Sequence, residues 1–169
     1  MPRPNPSDYP SFYDRYVALA QGDDVVKSML EHTETYIAFL SSIPGNKLEY
    51  RYAPGKWTIP EILRHIIDTE RVFIYRALVF ARKDNVPLPG FDQDAYAAAV
   101  QVNAGDWDAL IEEFKFLRHA SISLFKSFPA ETLNNIGTVN GNKVNVNSIG
   151  FIIMGHPVAH QQVIEEKYL

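Results

Sequence analysis

The chain predicts an all-α fold, a four-helix bundle, and three observations carry that expectation. Four long stretches place apolar residues three and four apart, the spacing of a helix with one buried stripe. Capping signals punctuate these stretches, and no run of alternating residues is convincing as a strand with partners to join. At 169 residues with 46% apolar and 21% charged side chains, the chain is long enough for one packed core and short for two, so 1–169 is read as a single domain.

The elements follow in order. The proline-rich first ten residues are expected to run extended over the surface, and residues 11–20 to form a short helix. Over residues 23–42, Val25, Val26, Met29, Leu30, Thr33, Tyr36, Ile37 and Leu40 make the first long stripe, which Pro44 and Gly45 end. The second long helix has the clearest start signal: Thr58 as N-cap, Glu61 completing a capping box, and Trp57 with Ile62 placed for a hydrophobic staple. It should reach about Arg82, with Ile62, His65, Ile66, Thr69, Val72, Phe73, Arg76 and Phe80 facing inward.

Turn formers in DNVPLPGFD indicate a loop, and AYAAAV a short helix. A third long helix opens at Asp106, with Leu110, Phe114, Leu117, Ser121, Leu124 and Phe128 as its stripe. Residues 129–147 contain Asn-Gly, a strong hairpin signal, but a lone hairpin is marginal, so a long ordered loop is expected. The last helix starts near Asn147 or Ser148 and runs to about Lys167, with Ile149, Ile152, Ile153, His156, His160, Val163, Ile164 and Lys167 on one side.

Composition narrows the function. The absence of cysteine excludes a disulfide framework, thiolate metal ligands and a cysteine nucleophile. A formal charge of −4 argues against nucleic acid or an anionic membrane as partner. The N-terminal residues lack the apolar core of a signal peptide and no apolar run approaches a membrane span, so a cytoplasmic protein is expected.

The histidines carry the chemistry. His156 and His160 lie four apart, one above the other on a helix, close enough to converge on one ion. His65 sits on the apolar stripe of another helix, where a buried imidazole needs partners for both ring nitrogens. A bond to a backbone carbonyl or to Thr69 would satisfy it; so would one divalent ion shared with the other two rings. Three nitrogen ligands leave a coordination position open, the pattern of a catalytic metal site. Imidazole suits zinc, nickel, cobalt and iron, so ligand type does not name the metal; zinc or nickel is the expectation. His32 and His119 fall off the centre of their stripes and are read as surface or boundary residues. Pro157, between the paired histidines, removes a helical bond to the carbonyl of Ile153.

Three segments together, WTIPEILRHIIDTERVFIYRALVFAR, PLPGFDQDAY and NGNKVNVNSIGFIIMGHPVAHQQVIEEKYL, resemble the DinB-like family of metal-binding four-helix proteins. The resemblance implies an up-and-down-type bundle in which a histidine of the second helix meets an H-x-x-x-H pair of the last, here His65, His156 and His160. The family's last motif often reads Gly-His-Glu-x-His-His, whereas this chain has GHPVAH, with Pro157 for the glutamate and Ala159 for the middle histidine. Any help that glutamate gives to substrate or water is missing here. Relatives include thiol transferases and isomerases dependent on low-molecular-weight thiols, and metal-dependent hydrolases. The implied function is therefore a hydrolase or small-thiol transferase with a small-molecule substrate. A non-catalytic metal-binding or stress-related bundle is the alternative, and a homodimer is expected in either case.

Carboxylates near the histidines are weighed from periodicity. Glu70 lies well round the helix from His65, so pairing with Arg71, Arg64 or a neighbouring helix is favoured over a role at the ion. Asp68 is the better candidate to orient His65. Arg76 could anchor an anionic group or salt-bridge within the bundle. The loops at 84–105 and 129–147 should rim any pocket, with Phe91, Tyr96, Asn140 and Asn142 as possible contacts.

Overall fold

A computed structural model describes residues 3–169. Met1 and Pro2, part of the expected extended segment, lie outside the described residues. Among the described residues, six α-helices and one hairpin follow in order: α1 (Asp14–Leu19), α2 (Val25–Ser42), α3 (Ile59–Ala81), α4 (Gln93–Ala99), α5 (Trp107–Lys126), β1 (Ile136–Val139), β2 (Asn142–Asn145) and α6 (Val146–Lys167). The four long helices α2, α3, α5 and α6 form the bundle that the stripes predict.

The capping box that the sequence predicts is formed, and two further side-chain caps join it. Thr58 Oγ1 accepts from the Glu61 amide while the Glu61 carboxylate accepts from the Thr58 amide at 2.6 Å, closing the capping box of α3. Asp24 starts α2 by accepting from the Lys27 amide. Asn145 starts α6 by accepting from the Ser148 amide, so this helix begins slightly before the expected Asn147 or Ser148.

Packing runs α2 on α5, α5 on α3, α3 on α6 and α6 on α2, leaving α2 diagonal to α3 and α5 diagonal to α6. Directions follow from the contacts. Arg64 meets Glu113 and Glu70 meets Arg118 and Ser121, so α3 and α5 ascend together. Val25 lies against Gly150, and Lys47, just beyond α2, reaches the Tyr168 carbonyl, so α2 and α6 also run parallel. The Tyr36–Phe114 and His32–Arg118 contacts make α2 and α5 antiparallel, and Tyr168 donating to the Trp57 carbonyl does the same for α3 and α6. The chain thus runs up, down, down, up. This corrects the simple up-and-down form: the connection from α3 to α5, which carries α4, is long enough to return the chain and let two successive long helices run parallel.

Residues 136–145 correct a second expectation. They form a hairpin, not an irregular loop, closed by Asn140 at φ 47° and Gly141 at φ 77°, the double positive φ of a type I′ turn. Its marginal stability is offset by anchoring. Leu88 exchanges backbone hydrogen bonds with Thr138 and Asn140 on the outer side. Gly137 lies flat on the Phe80 ring, where a Cβ would overlap it, and Val144 is buried.

The buried faces also shift. On α5, Leu117 and Leu124 are only half-buried while Trp107, Ile111, Arg118, Ile122 and Phe125 point inward. On α6, every residue from Val146 to Pro157 is buried, because α1 covers the side left free by α2 and α3; Lys167, expected inward, is exposed. A helix apolar all round occupies the centre of a domain, and α6 does. Gly155 permits the close approach of α1: a Cβ there would strike the Tyr16 carbonyl.

Candidate metal centre

His65 projects from the second turn of α3, and His156 and His160 from successive turns of α6. His65 Nε2 and His156 Nε2 are 3.1 Å apart, as are His156 Nε2 and His160 Nε2. Two nitrogens bound to one tetrahedral zinc at ~2.0–2.1 Å are separated by roughly 3.3 Å. The ring nitrogens therefore already stand near the spacing that a shared ion requires. No other group of at least three histidine, cysteine, aspartate or glutamate side chains converges in this way among the described residues.

The surroundings hold the rings neutral. His65 and His156 are each 6% exposed, and His160 is half-buried. Burial lowers the His65 pKa to about 4 and, with the nearby His65 and Arg15, that of His160 to about 3; His156 is pushed well below the ordinary value, first by burial and then by its two neighbours. All three therefore present lone pairs near neutral pH. With their single protons on Nδ1, the three neutral rings turn Nε2 lone pairs to one point, where they repel one another. A divalent cation resolves that conflict, and the donor set fits one. His65 Nδ1 lies 3.4 Å from Thr69 Oγ1, which leaves Nε2 facing the other two rings as the atom that could hold an ion. Trp57 packs on the His65 ring, and Tyr16 of α1 stands edge-on to His156.

The carboxylates are elsewhere. Asp68 turns to Arg64 and Arg71, so the expectation that it orients His65 is not met; Thr69, one residue on, takes that place. Glu70 is buried and bound by Arg118 Nε and Nη2 and by Ser121 Oγ, which is the neighbouring-helix pairing. His119 is exposed, and His32 stacks on Tyr36 at the boundary of the core.

The centre opens on one side. A cleft of about 280 Å³ is lined by His160 together with Tyr52, Lys56, Trp57, Asp94 and Tyr168. Lys56 and Asp94 were not anticipated. Asp94 reaches the cleft from α4, whose start is set by Asp92 accepting from the Asp94 and Ala95 amides. Nothing local marks Asp94 out, because its position depends on α4 folding back over α3.

The family model of the DinB superfamily matches residues 29–164, from the first long helix to the last and across all three histidines. The chain belongs to the DinB superfamily. No curated protein sequence matches it. Two solved structures share the fold of this DinB superfamily member. One is YfiT from Bacillus subtilis, described as "a probable metal-dependent hydrolase with an unusual four-helix bundle topology": 13% identity, TM-score 0.61, covering 96% of this chain and 91% of that one. The other is a mycothiol-dependent maleylpyruvate isomerase, with 13% identity and TM-score 0.62, covering 89% of this chain and 59% of the isomerase. At such identity the likeness is one of fold.

Proposed function

We propose that this DinB superfamily protein is a metal-dependent enzyme in which His65, His156 and His160 hold a divalent ion, zinc or nickel, and that it acts on a small molecule entering the cleft beside His160. The observation that carries this reading is asymmetry within the triad. His65 and His156 are sealed by Trp57 and Tyr16, whereas His160 stands in the wall of an open cleft with a lysine and a carboxylate. A structural ion would be closed off by protein; an open face with convergent polar groups suits chemistry.

When bound, such an ion supplies a Lewis acid and lowers the pKa of water or of a thiol at its open position. The remaining work falls to the chain. Asp94 can accept the proton given up by the nucleophile. Lys56, whose ammonium lies 5.8 Å from the Tyr52 ring, offers a positive charge to an anionic group of the substrate. Trp57 and the tyrosines supply flat apolar walls.

Two reactions suit this arrangement. Hydrolysis of a small ester or amide is in keeping with the likeness to YfiT, and transfer of a low-molecular-weight thiol with the likeness to the mycothiol-dependent isomerase. Untagged protein analysed for bound metal, then assayed in that metal form against ester, amide and thiol-acceptor panels, tests the proposal. Metal at about one ion per chain with turnover abolished in Asp94→Asn is expected. Metal without any turnover in the panels would favour the non-catalytic alternative.

A further inference from the structure

Towards the other end of α3 lies a second cleft, and none of its lining residues lines the cleft at His160. It measures about 190 Å³, and its walls are aromatic: Phe12, Tyr13, Phe73 and Phe91, with Asn140 and Asn142 contributed by the hairpin turn. At its base is Arg76, 4% exposed. Among the described residues no carboxylate lies within ion-pairing distance of this guanidinium, whereas Arg118, the other arginine buried to this degree, has Glu70.

Arg76 is held in place without being neutralised. Nη2 donates to the Pro89 carbonyl at 3.1 Å, and the Tyr13 hydroxyl faces the group. The cation also lies 5.3 Å from the Phe73 ring centroid and 5.6 Å from that of Phe91. These contacts fix the plane of the guanidinium and soften its charge, but they supply no negative charge to pair with it. An arginine cannot shed its proton, so burying it without a counter-ion is unfavourable unless something supplies one.

We propose that this cleft binds a small monocarboxylate with an apolar body, seated on Arg76 and gripped by the ring walls. A carboxylate matches the guanidinium fork with two parallel hydrogen bonds. One positive charge balances one negative charge, and the lining offers no second cation for a dianion such as phosphate. At the hairpin, Asn140 adds a neutral amide to the lining, while the Asn142 amide donates to the Asn140 carbonyl at 2.9 Å. The volume is below the ~300–1,000 Å³ of sites for drug-sized ligands, which restricts the occupant to a short acyl or single-ring acid.

Calorimetric titration of the full-length protein with benzoate and with hexanoate tests this, with benzamide and inorganic phosphate as comparisons. Saturable one-to-one binding of at least one of the two acids is expected, with benzamide and phosphate at least about tenfold weaker. Arg76→Met should weaken carboxylate binding by about tenfold or more, and His160→Ala should leave it within about twofold, separating this cleft from the metal centre. Phe12→Ala, at an exposed side chain with little bearing on folding, should weaken it several-fold and serves as the second variant if Arg76→Met does not fold. The proposal is overturned if neither acid binds saturably, if benzamide or phosphate binds as well as the acids, or if binding is lost in His160→Ala and kept in folded Arg76→Met.

Discussion

Arg118 Nη2 lies 3.3 Å from the carbonyl oxygen of Ile153, the acceptor that Pro157 leaves without its helical N–H partner. A residue of α5 thus mends the break that proline makes in α6, and α6 continues unbroken from Val146 to Lys167 with His156 and His160 in register. Glu70 balances the charge of the mending group through bonds of 2.8–3.1 Å. Proline inside the motif is tolerated because a buried ion pair stands beneath it.

This linkage makes the two sites interdependent. Arg118→Met should destabilise the protein by about 3–5 kcal/mol, since it leaves Glu70 buried without its cation and the Ile153 carbonyl unmatched. Pro157→Ala restores the amide, so the loss on removing Arg118 should be smaller in that background. A double-mutant cycle by urea denaturation should yield a coupling of about 0.5 kcal/mol or more. Strict additivity would refute the link.

Removal of a proposed ligand should separate binding from folding. His160→Ala is expected to lose bound metal while keeping its far-ultraviolet circular dichroism, because His160 is half-buried and the helix continues past it. Coincident loss of helicity would assign the triad a structural role.

Thr69 contacts His65 at Nδ1, on the side away from the other two rings. Thr69→Val keeps shape and removes the hydroxyl, and should weaken metal affinity by about tenfold, the lower end of the range for such outer partners, because the contact is a long 3.4 Å. Competition against a chelator reads this directly, and unchanged affinity would remove Thr69 from the site.

Gly155→Ala should detach or displace α1. The added methyl meets the Tyr16 carbonyl, a backbone atom that cannot swing away. A destabilisation of at least about 1–3 kcal/mol is expected, together with greater solvent access at His156, since Tyr16 is part of what covers it. Hydrogen exchange on α1 and thermal melting check both effects.

Acid should weaken the metal-free protein through His32 as well as through the triad. Burial, with the nearby Arg118 second, lowers the His32 pKa to about 3, against an unfolded value near 6.5. The unfolded state therefore binds the extra proton first, and stability falls as pH drops from about 6.5 towards 3; above 6.5 His32 contributes nothing to the pH dependence. His32→Gln should flatten the stability profile by up to one proton over that window. An unchanged slope would show that His32 charges without opening the fold.

The helices and their three histidines were legible in the sequence because they rest on short-range features. Apolar spacing, the Thr58–Glu61 box and the His156–His160 interval are each contained within a few turns of one helix. The motifs resembling the DinB-like family added the meeting of His65 with that pair. Between-element facts were not legible. A two-stranded hairpin is marginal alone, and this one stands because Leu88 and Phe80 anchor it. The burial of Arg118 went unread because its partners lie on α3 and α6.

What the sequence by itself determined, then, is which segments become helices and which histidines share a helix face. Periodicity and capping act within a few residues, and any compact packing of those segments preserves them. Only the tertiary structure decided that two pairs of helices run parallel, that Asp94 reaches the cleft at His160, and that Arg76 is buried with no carboxylate in ion-pairing distance among the described residues. A charged or polar group inside a protein is tolerated or exposed according to partners on other elements, and distance along the chain says little about which element will stand beside it.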